Sequence, residues 1–286
     1  MSYEEARRLA GEASDLEFEG RSDEALAVYG AALGIARRDA DPWDLATFLT
    51  TMASFLMRRK QYDLALTLFE EAIPLHRAHS EPDRLAYWLM RTAECLRKLG
   101  LNDRATVYFD RGLALSRQHA EGGVLFDRVM SSAAFHQTLG HRDQALALYL
   151  EALPLAREHG ELRDLSRCLK NVAIGFQKTR QYPQARRHFE EALTVRRQHS
   201  TPRELAHSMI NTARWMTEMG RWDRALDLCE EALPVAREQA TRADLVLCLT
   251  IAAHGLRRFG EPDRAMDLVR EAEAVKGTRT VAQSEV

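Results

Sequence analysis

The sequence predicts an all-α fold, an α-solenoid of seven helix-turn-helix repeats. Three observations carry this. Small residues recur every 40 positions along the chain. Each 40-residue unit contains two segments with the i, i+3, i+4 apolar spacing of a helix. Recurring turn and cap residues punctuate most units at the same places.

The repeat comes first, because a missed period misassigns the whole fold. Alanine recurs at Ala25, Ala65, Ala105, Ala145, Ala185, Ala225 and Ala265. A second series runs Ala13, Ala53, Ala93, Ala133, Ala173, Ala213 and Ala253. A third reads Ala32, Ala72, Gly112, Ala152, Ala192, Ala232 and Ala272, so seven units follow with no insertion between them. The units are expected at about 3–42, 43–82, 83–122, 123–162, 163–202, 203–242 and 243–277, as a single domain over 1–277 with a flexible tail at 278–286.

Within the second unit, Leu45, Phe48, Leu49, Met52, Ala53 and Leu56 predict a first helix near 43–58. Leu64, Ala65, Leu68, Phe69, Ala72, Ile73 and His76 predict a second near 62–79. Gly20, Gly100, Gly140, Gly220 and Gly260 close the first helix in five units, where glycine accepts the left-handed cap. The second helix opens on Asp23, Asp63, Asp103, Asp143, Asp223 or Asp263, an acid at the positive end of the helix dipole. Pro183, suited to the first helical turn, replaces it in unit five. Thr201-Pro202-Arg203-Glu204 has the pattern of a capping box. Opposite the alanines stand Tyr29, Phe69, Phe109, Tyr149 and Phe189, then Cys229 and Val269, a thinning that predicts looser packing in the last two units. Pro74, Pro154 and Pro234 fall inside second helices with a period of 80, where proline bends a helix.

Composition bounds the function. The 286 residues are 45% apolar and 29% charged, enough to bury a core. A formal net charge of -2 gives no reason to expect a nucleic-acid partner. Only five of the 40 basic residues are lysine. The charged N-terminus lacks the apolar stretch of a secretory signal, and no run reaches the length of a membrane helix, so a cytoplasmic chain with no membrane partner is expected. Cys95, Cys168, Cys229 and Cys248 form no CxxC pair and are expected to be buried, reduced thiols.

No motif points to catalysis, and no cofactor or metal is expected. GxSxG, HExxH and glycine-rich phosphate loops are absent. His79, His119, His159 and His199 form a ladder at the repeat period. Neighbouring helices pack about 8–10 Å apart, so such a ladder cannot converge on one ion. These histidines suit helix C-termini instead. The acid pairs Glu70-Glu71, Glu190-Glu191 and Glu230-Glu231 point in different directions around a helix and read as solvated surface.

The frame of small residue, aromatic, alanine, aromatic, alanine, as in Ala173, Phe176, Ala185, Phe189 and Ala192, resembles the tetratricopeptide repeat (TPR) family. The 40-residue period resembles the repeats of kinesin light chain and of the arrays on bacterial STAND signalling ATPases. No GxxxxGK[ST] loop accompanies it here. The resemblance implies a right-handed superhelix whose first helices line a concave groove. In that frame Tyr87, Met90, Met130, Gln177, His207 and Ile210 would face the groove, with a basic C-terminal half. Asn171 and Asn211, one period apart, resemble the groove asparagines of kinesin-light-chain-type repeats. The chaperone-tail clamp of other members is not reproduced, because Ile174, Leu247 and Ile251 occupy clamp positions.

The expected ligand contacts are therefore Arg167, Lys170, Asn171, Asn211, Arg214, Arg257 and Arg258. The expected function is non-catalytic binding of a peptide or protein segment carrying acidic residues. A ligand-gated sensor for a small peptide or metabolite is the alternative, and an enzyme on a helical solenoid a further one. Met266, Val269 and Val275 leave the last helix apolar where a polar cap is usual, so this end is expected to meet a partner or a second copy of the chain.

Overall fold

Alanine at fixed points lets helix backbones approach one another, and the chain uses every such point. A computed structural model describes residues 3–277. The expected tail at 278–286 lies outside the described residues. The helices are α1 (Tyr3–Phe18), α2 (Ser22–Asp39), α3 (Pro42–Arg58), α4 (Tyr62–His79), α5 (Pro82–Lys98), α6 (Asn102–His119) and α7 (Gly122–Thr138). There follow α8 (Arg142–His159), α9 (Leu162–Lys178), α10 (Tyr182–His199), α11 (Pro202–Glu218), α12 (Trp222–Gln239), α13 (Arg242–Arg258) and α14 (Pro262–Gly277). No β-strand occurs among the described residues. The pair expected near 43–58 and 62–79 is α3 with α4.

The chain divides into two compact units, one reaching to Ser132 and the other beginning at Ala133. In the first, α1 packs on α2, α2 on α3, and so on to α6. In the second, each helix from α8 packs on the next as far as α14, and α11 also meets α13. This last contact joins the first helices of successive pairs.

No member of the Ala25–Ala265 series is more than 3% exposed. Tyr29, Phe69, Phe109, Tyr149 and Phe189 fill the space between these close approaches, all of them buried. Burying one such side chain contributes about 1.5–3 kcal/mol. Cys229 is fully buried and Val269 only half-buried, so the looser packing expected of the last two units appears in the seventh and not in the sixth. Gly112 interrupts the third series for a reason. A Cβ there would lie 2.6 Å from Met90 Cγ and 3.0 Å from the Ala86 carbonyl oxygen. Helix α6 meets α5 more closely than alanine permits.

The punctuation is local chemistry. Gly20, Gly100, Gly140, Gly220 and Gly260 take φ between 74° and 83°, and Lys60 and Arg180 take the same left-handed place in the two units without glycine. The capping box is complete: Glu204 N–H donates to Thr201 Oγ1 at 3.3 Å, and Thr201 N–H donates back to the Glu204 carboxylate at 2.9 Å. Asp41 and Thr241 cap α3 and α13 in the same way, each accepting from a backbone N–H. Helices α4, α8 and α12 continue through Pro74, Pro154 and Pro234.

The acid pairs are more than solvated surface. Within the first unit Glu71 pairs back to Arg37 at 2.5 Å, and Glu70 pairs forward to Arg104. Within the second, Glu191 pairs back to Arg157 at 2.6 Å and Glu190 forward to Arg224 at 2.7 Å. Glu231 and Glu230 repeat the arrangement with Arg197 and Arg264, at 3.0 and 2.9 Å. Adjacent acids point apart around their helix, and each therefore reaches a different neighbouring second helix.

Candidate functional site

Helices α9, α10 and α11 of the second unit enclose a cleft of about 320 Å³. Lys170 comes from α9, Arg196 from α10, and His207, Asn211 and Arg214 from α11. Ile174, Phe189, Leu193 and Trp215 form its apolar side. No Asp or Glu lines it.

The Trp215 ring carries two cations. The Arg214 guanidinium lies over the Trp215 ring, 4.9 Å from its centre, and Lys178 Nζ lies 5.1 Å from the same ring. Trp215 in turn stacks on Phe189 at 6.4 Å with 16° between the planes. Burial lowers the pKa of Lys170, and the charges of Arg196 and Arg167 add to this. Its side chain nonetheless reaches solvent, so water screens part of that effect. Arg196 is also lowered by burial, against the nearby Glu204, which raises it.

Asn211 Nδ2 donates to the His207 carbonyl oxygen at 2.9 Å and approaches His207 Nε2 at 3.1 Å. His207 Nδ1 donates to Asp244 Oδ2 at 2.9 Å, and that oxygen also accepts from Thr241 Oγ1. These partners set one tautomer, with the proton on Nδ1. The Asn211 amide donor is thus engaged within its own helix, and its carbonyl oxygen is the group left to meet a ligand.

The structure gathers Lys170, Asn211 and Arg214 of the seven expected contacts into this cleft. Arg257 lines a separate cleft of about 240 Å³ with His254 and Lys276, and Arg258 lies 5.4 Å over the ring of Trp222. Arg167 pairs with Asp164 at 2.9 Å, and Asn171 is half-buried and does not line the main cleft. Met90, Met130, Gln177 and Ile210, expected on the groove, are core residues between 0% and 8% exposed. Arg196, Phe189 and Trp215 were outside the expected set, two of them because they lie on or against the second helix. Their signal was register: Arg196 falls at a position that is alanine in three other second helices.

The histidine ladder ends helices α4, α6, α8 and α10, and among the described residues no cluster of His, Cys, Asp or Glu could hold a metal ion. The four cysteines are free and buried. Burial pushes the Cys95 thiol up to about 11 and Cys168 to about 12. No helix among the described residues is long and apolar enough to cross a membrane.

These features define a repeat protein built of helix pairs, with a cationic cleft between successive pairs. Models described as tetratricopeptide repeat match residues 44–118 and 128–198, and a second such model matches 205–238. The chain belongs to the tetratricopeptide repeat family. No curated protein matches it. Among solved structures it is similar to part of a TPR repeat-containing protein from Cytophaga hutchinsonii, with TM-score 0.72, 12% identity, and coverage of 95% of this chain and 96% of that one. It is similar to a STAND protein with a TPR sensor from Pyrococcus horikoshii, with TM-score 0.75, 12% identity, and coverage of 93% of this chain and 41% of that one. Kinesin light chain TPR-like repeats from Podosopora anserina align with TM-score 0.60 and 14% identity, over 71% of this chain and 100% of that one. At these identities the likeness concerns the fold.

Proposed function

We propose that this protein is a non-catalytic interaction module that binds an acidic segment of a peptide or protein in the cleft of α9–α11. The supporting observation is three basic side chains, Lys170, Arg196 and Arg214, beside an apolar wall with no lining carboxylate. Arg167 and Asn171 on α9, and Arg257 and Arg258 on α13, are proposed as further contacts outside this cleft. Concave charge of one sign raises the local concentration of oppositely charged ligands. A pull-down from host lysate, run in parallel with Asn211→Ala and Arg214→Ala, tests this. Both variants weaken capture, Arg214→Ala by about 2–5 kcal/mol for a desolvated charge contact and Asn211→Ala by about 0.5–1.5 kcal/mol for a neutral hydrogen bond, and both keep the wild-type melting temperature. Ala213→Leu does the reverse, overpacking a fully buried contact at about 1–3 kcal/mol. Unchanged capture by both cleft variants places the binding surface elsewhere.

A sensor is the second reading, and the name given to the repeats of the Pyrococcus STAND protein favours it. A ligand that compacts the chain in solution scattering separates a sensor from a passive scaffold.

Helix α14, with the turn that leads into it, offers a surface for self-association. Phe259 and Met266 are 52% and 44% exposed there, beside half-buried Val269. Light scattering of the wild type shows a concentration-dependent dimer that Met266→Glu with Val269→Glu abolishes. A wild type that stays monomeric at every concentration removes this proposal.

A further inference from the structure

The cleft owes its charge to two departures from the repeat. At the register position of Lys170, other first helices carry Thr50, Met90, Met130 and Ile210, between 0% and 7% exposed. At the position of Arg196, other second helices carry Ala36, His76, Ser116, Ala156 and Ala236, none more than 1% exposed. The fifth pair places cations at both positions, and both open on one cleft. The seventh has Lys276 at the second of them, at the exposed end of α14, but Thr250 at the first.

Neither departure is met by an ion pair. Lys170, Arg196 and Arg214 make no ion pair among the described residues, whereas Arg197, the next residue, pairs with Glu231 at 3.0 Å. Glu204, the acid that acts on Arg196, is committed to capping Thr201. The Lys170 and Arg196 side chains reach solvent instead of filling the core, so with Arg214 they leave three like charges on one cleft that no acid lines, an arrangement that concentrates anions.

We infer that this cleft is a phosphomonoester site, in which Lys170, Arg196 and Arg214 hold a phosphoryl group whose apolar or aromatic body lies against Ile174, Leu193 and Trp215. The inference rests on the reading of this cleft as the binding site and narrows its ligand. One carboxylate would leave two of the three charges unmatched. A phosphoryl group carries close to two negative charges at neutral pH and three acceptor oxygens. A guanidinium fork meets two such oxygens at once. The cleft volume of about 320 Å³ is at the small end of ligand sites, which span roughly 300–1,000 Å³. It suits a single ring with its headgroup. A phosphorylated side chain of a partner and a free phosphorylated metabolite share this chemistry.

Calorimetric titration and tryptophan fluorescence of the full chain test it, with phenyl phosphate, inorganic phosphate, benzoate and a blocked phosphotyrosine tripeptide as probes. Phenyl phosphate binds at least about tenfold more tightly than benzoate, as its greater charge requires. A tripeptide tighter than phenyl phosphate identifies a phosphorylated side chain as the source, and a weaker one a free metabolite. Lys170→Met with Arg196→Ala, which restores residues that other repeats carry, weakens phenyl phosphate by about tenfold or more. Arg197→Ala leaves the affinity unchanged. Benzoate binding as tightly as phenyl phosphate overturns the phosphoryl inference and leaves the acidic-segment reading standing. So does capture of an acidic partner by a protein that binds none of the phosphorylated probes. Phenyl phosphate bound at a cleft whose Asn211→Ala and Arg214→Ala variants still capture the partner leaves this inference standing and removes the earlier one.

Discussion

His76 shows how much one residue can carry in a repeated frame. Its equivalents Ala36, Ala156 and Ala236 are small and buried, and His76 is itself fully buried, stacked on Trp88 at 5.8 Å. Its Nδ1 shares a hydrogen bond with Ser80 Oγ at 2.7 Å, while Nε2 is buried without a partner. Burial, and then the charge of Arg84, lower its pKa from 6.5 to about 4. The folded protein therefore resists protonating His76, and between these two values the unfolded chain binds more protons. Stability falls as pH drops from about 6.5 to about 4, by about 3 kcal/mol at the limit. Melting temperatures of wild type and His76→Ala over this range check it. The variant starts lower, because it leaves a gap beside Trp88, and loses less with acid. Parallel curves would mean that His76 titrates normally.

At the scale of the element, the turn between the helices of a pair demands a left-handed residue. Five pairs supply glycine. The second and fifth supply Lys60 and Arg180, at φ 60° and 61°. A side chain there crowds its own backbone at a cost of about 1–2 kcal/mol, which glycine avoids. Lys60→Gly and Arg180→Gly each raise the free energy of unfolding, by about 1 kcal/mol, in urea titrations. A loss of stability would show that these side chains contribute more through their contacts than their backbones lose. The five glycines were legible as helix ends from spacing alone. The conformation at Lys60 and Arg180 was legible only by analogy along the repeat, since neither residue type favours it.

At the scale of the whole molecule, 40 basic and 42 acidic residues nearly cancel, and the second helices show where much of that charge is used. In each unit, arginine and glutamate 34 residues apart join successive second helices. Several are two-pronged: Arg224 Nε and Nη2 donate to the two Glu190 oxygens at 2.7 and 2.8 Å, and Arg237 does the same to Glu271. Arginine's fixed fork suits this geometry and lysine's single ammonium does not, which gives the scarcity of lysine a structural use. These pairs lie at the surface, Arg224–Glu190 part-buried and the others exposed, and an exposed pair contributes about 0–1 kcal/mol. Raising salt to about 1 M shortens the screening length to about 3 Å, so the urea midpoint falls modestly with sodium chloride. A midpoint that rises instead would show that like-charge repulsion outweighs the pairs.

The sequence by itself determined the helix pairs, their 40-residue register, the close alanine contacts and the capping box at Thr201. These depend on local rules and on periodicity, and repetition states the small-residue rule in all seven units. Only the tertiary structure decided what each face meets. Successive residues on a helix point about 100° apart, so a small rotation about the axis moves a position from groove to core. That rotation is set by neighbouring helices, and it buries Met90, Met130 and Ile210 while leaving Lys170 and Arg214 at the cleft. The contribution of α10 and the partners of the acid pairs arise in the same way. Each joins residues from different helices, and no spacing within one helix encodes it.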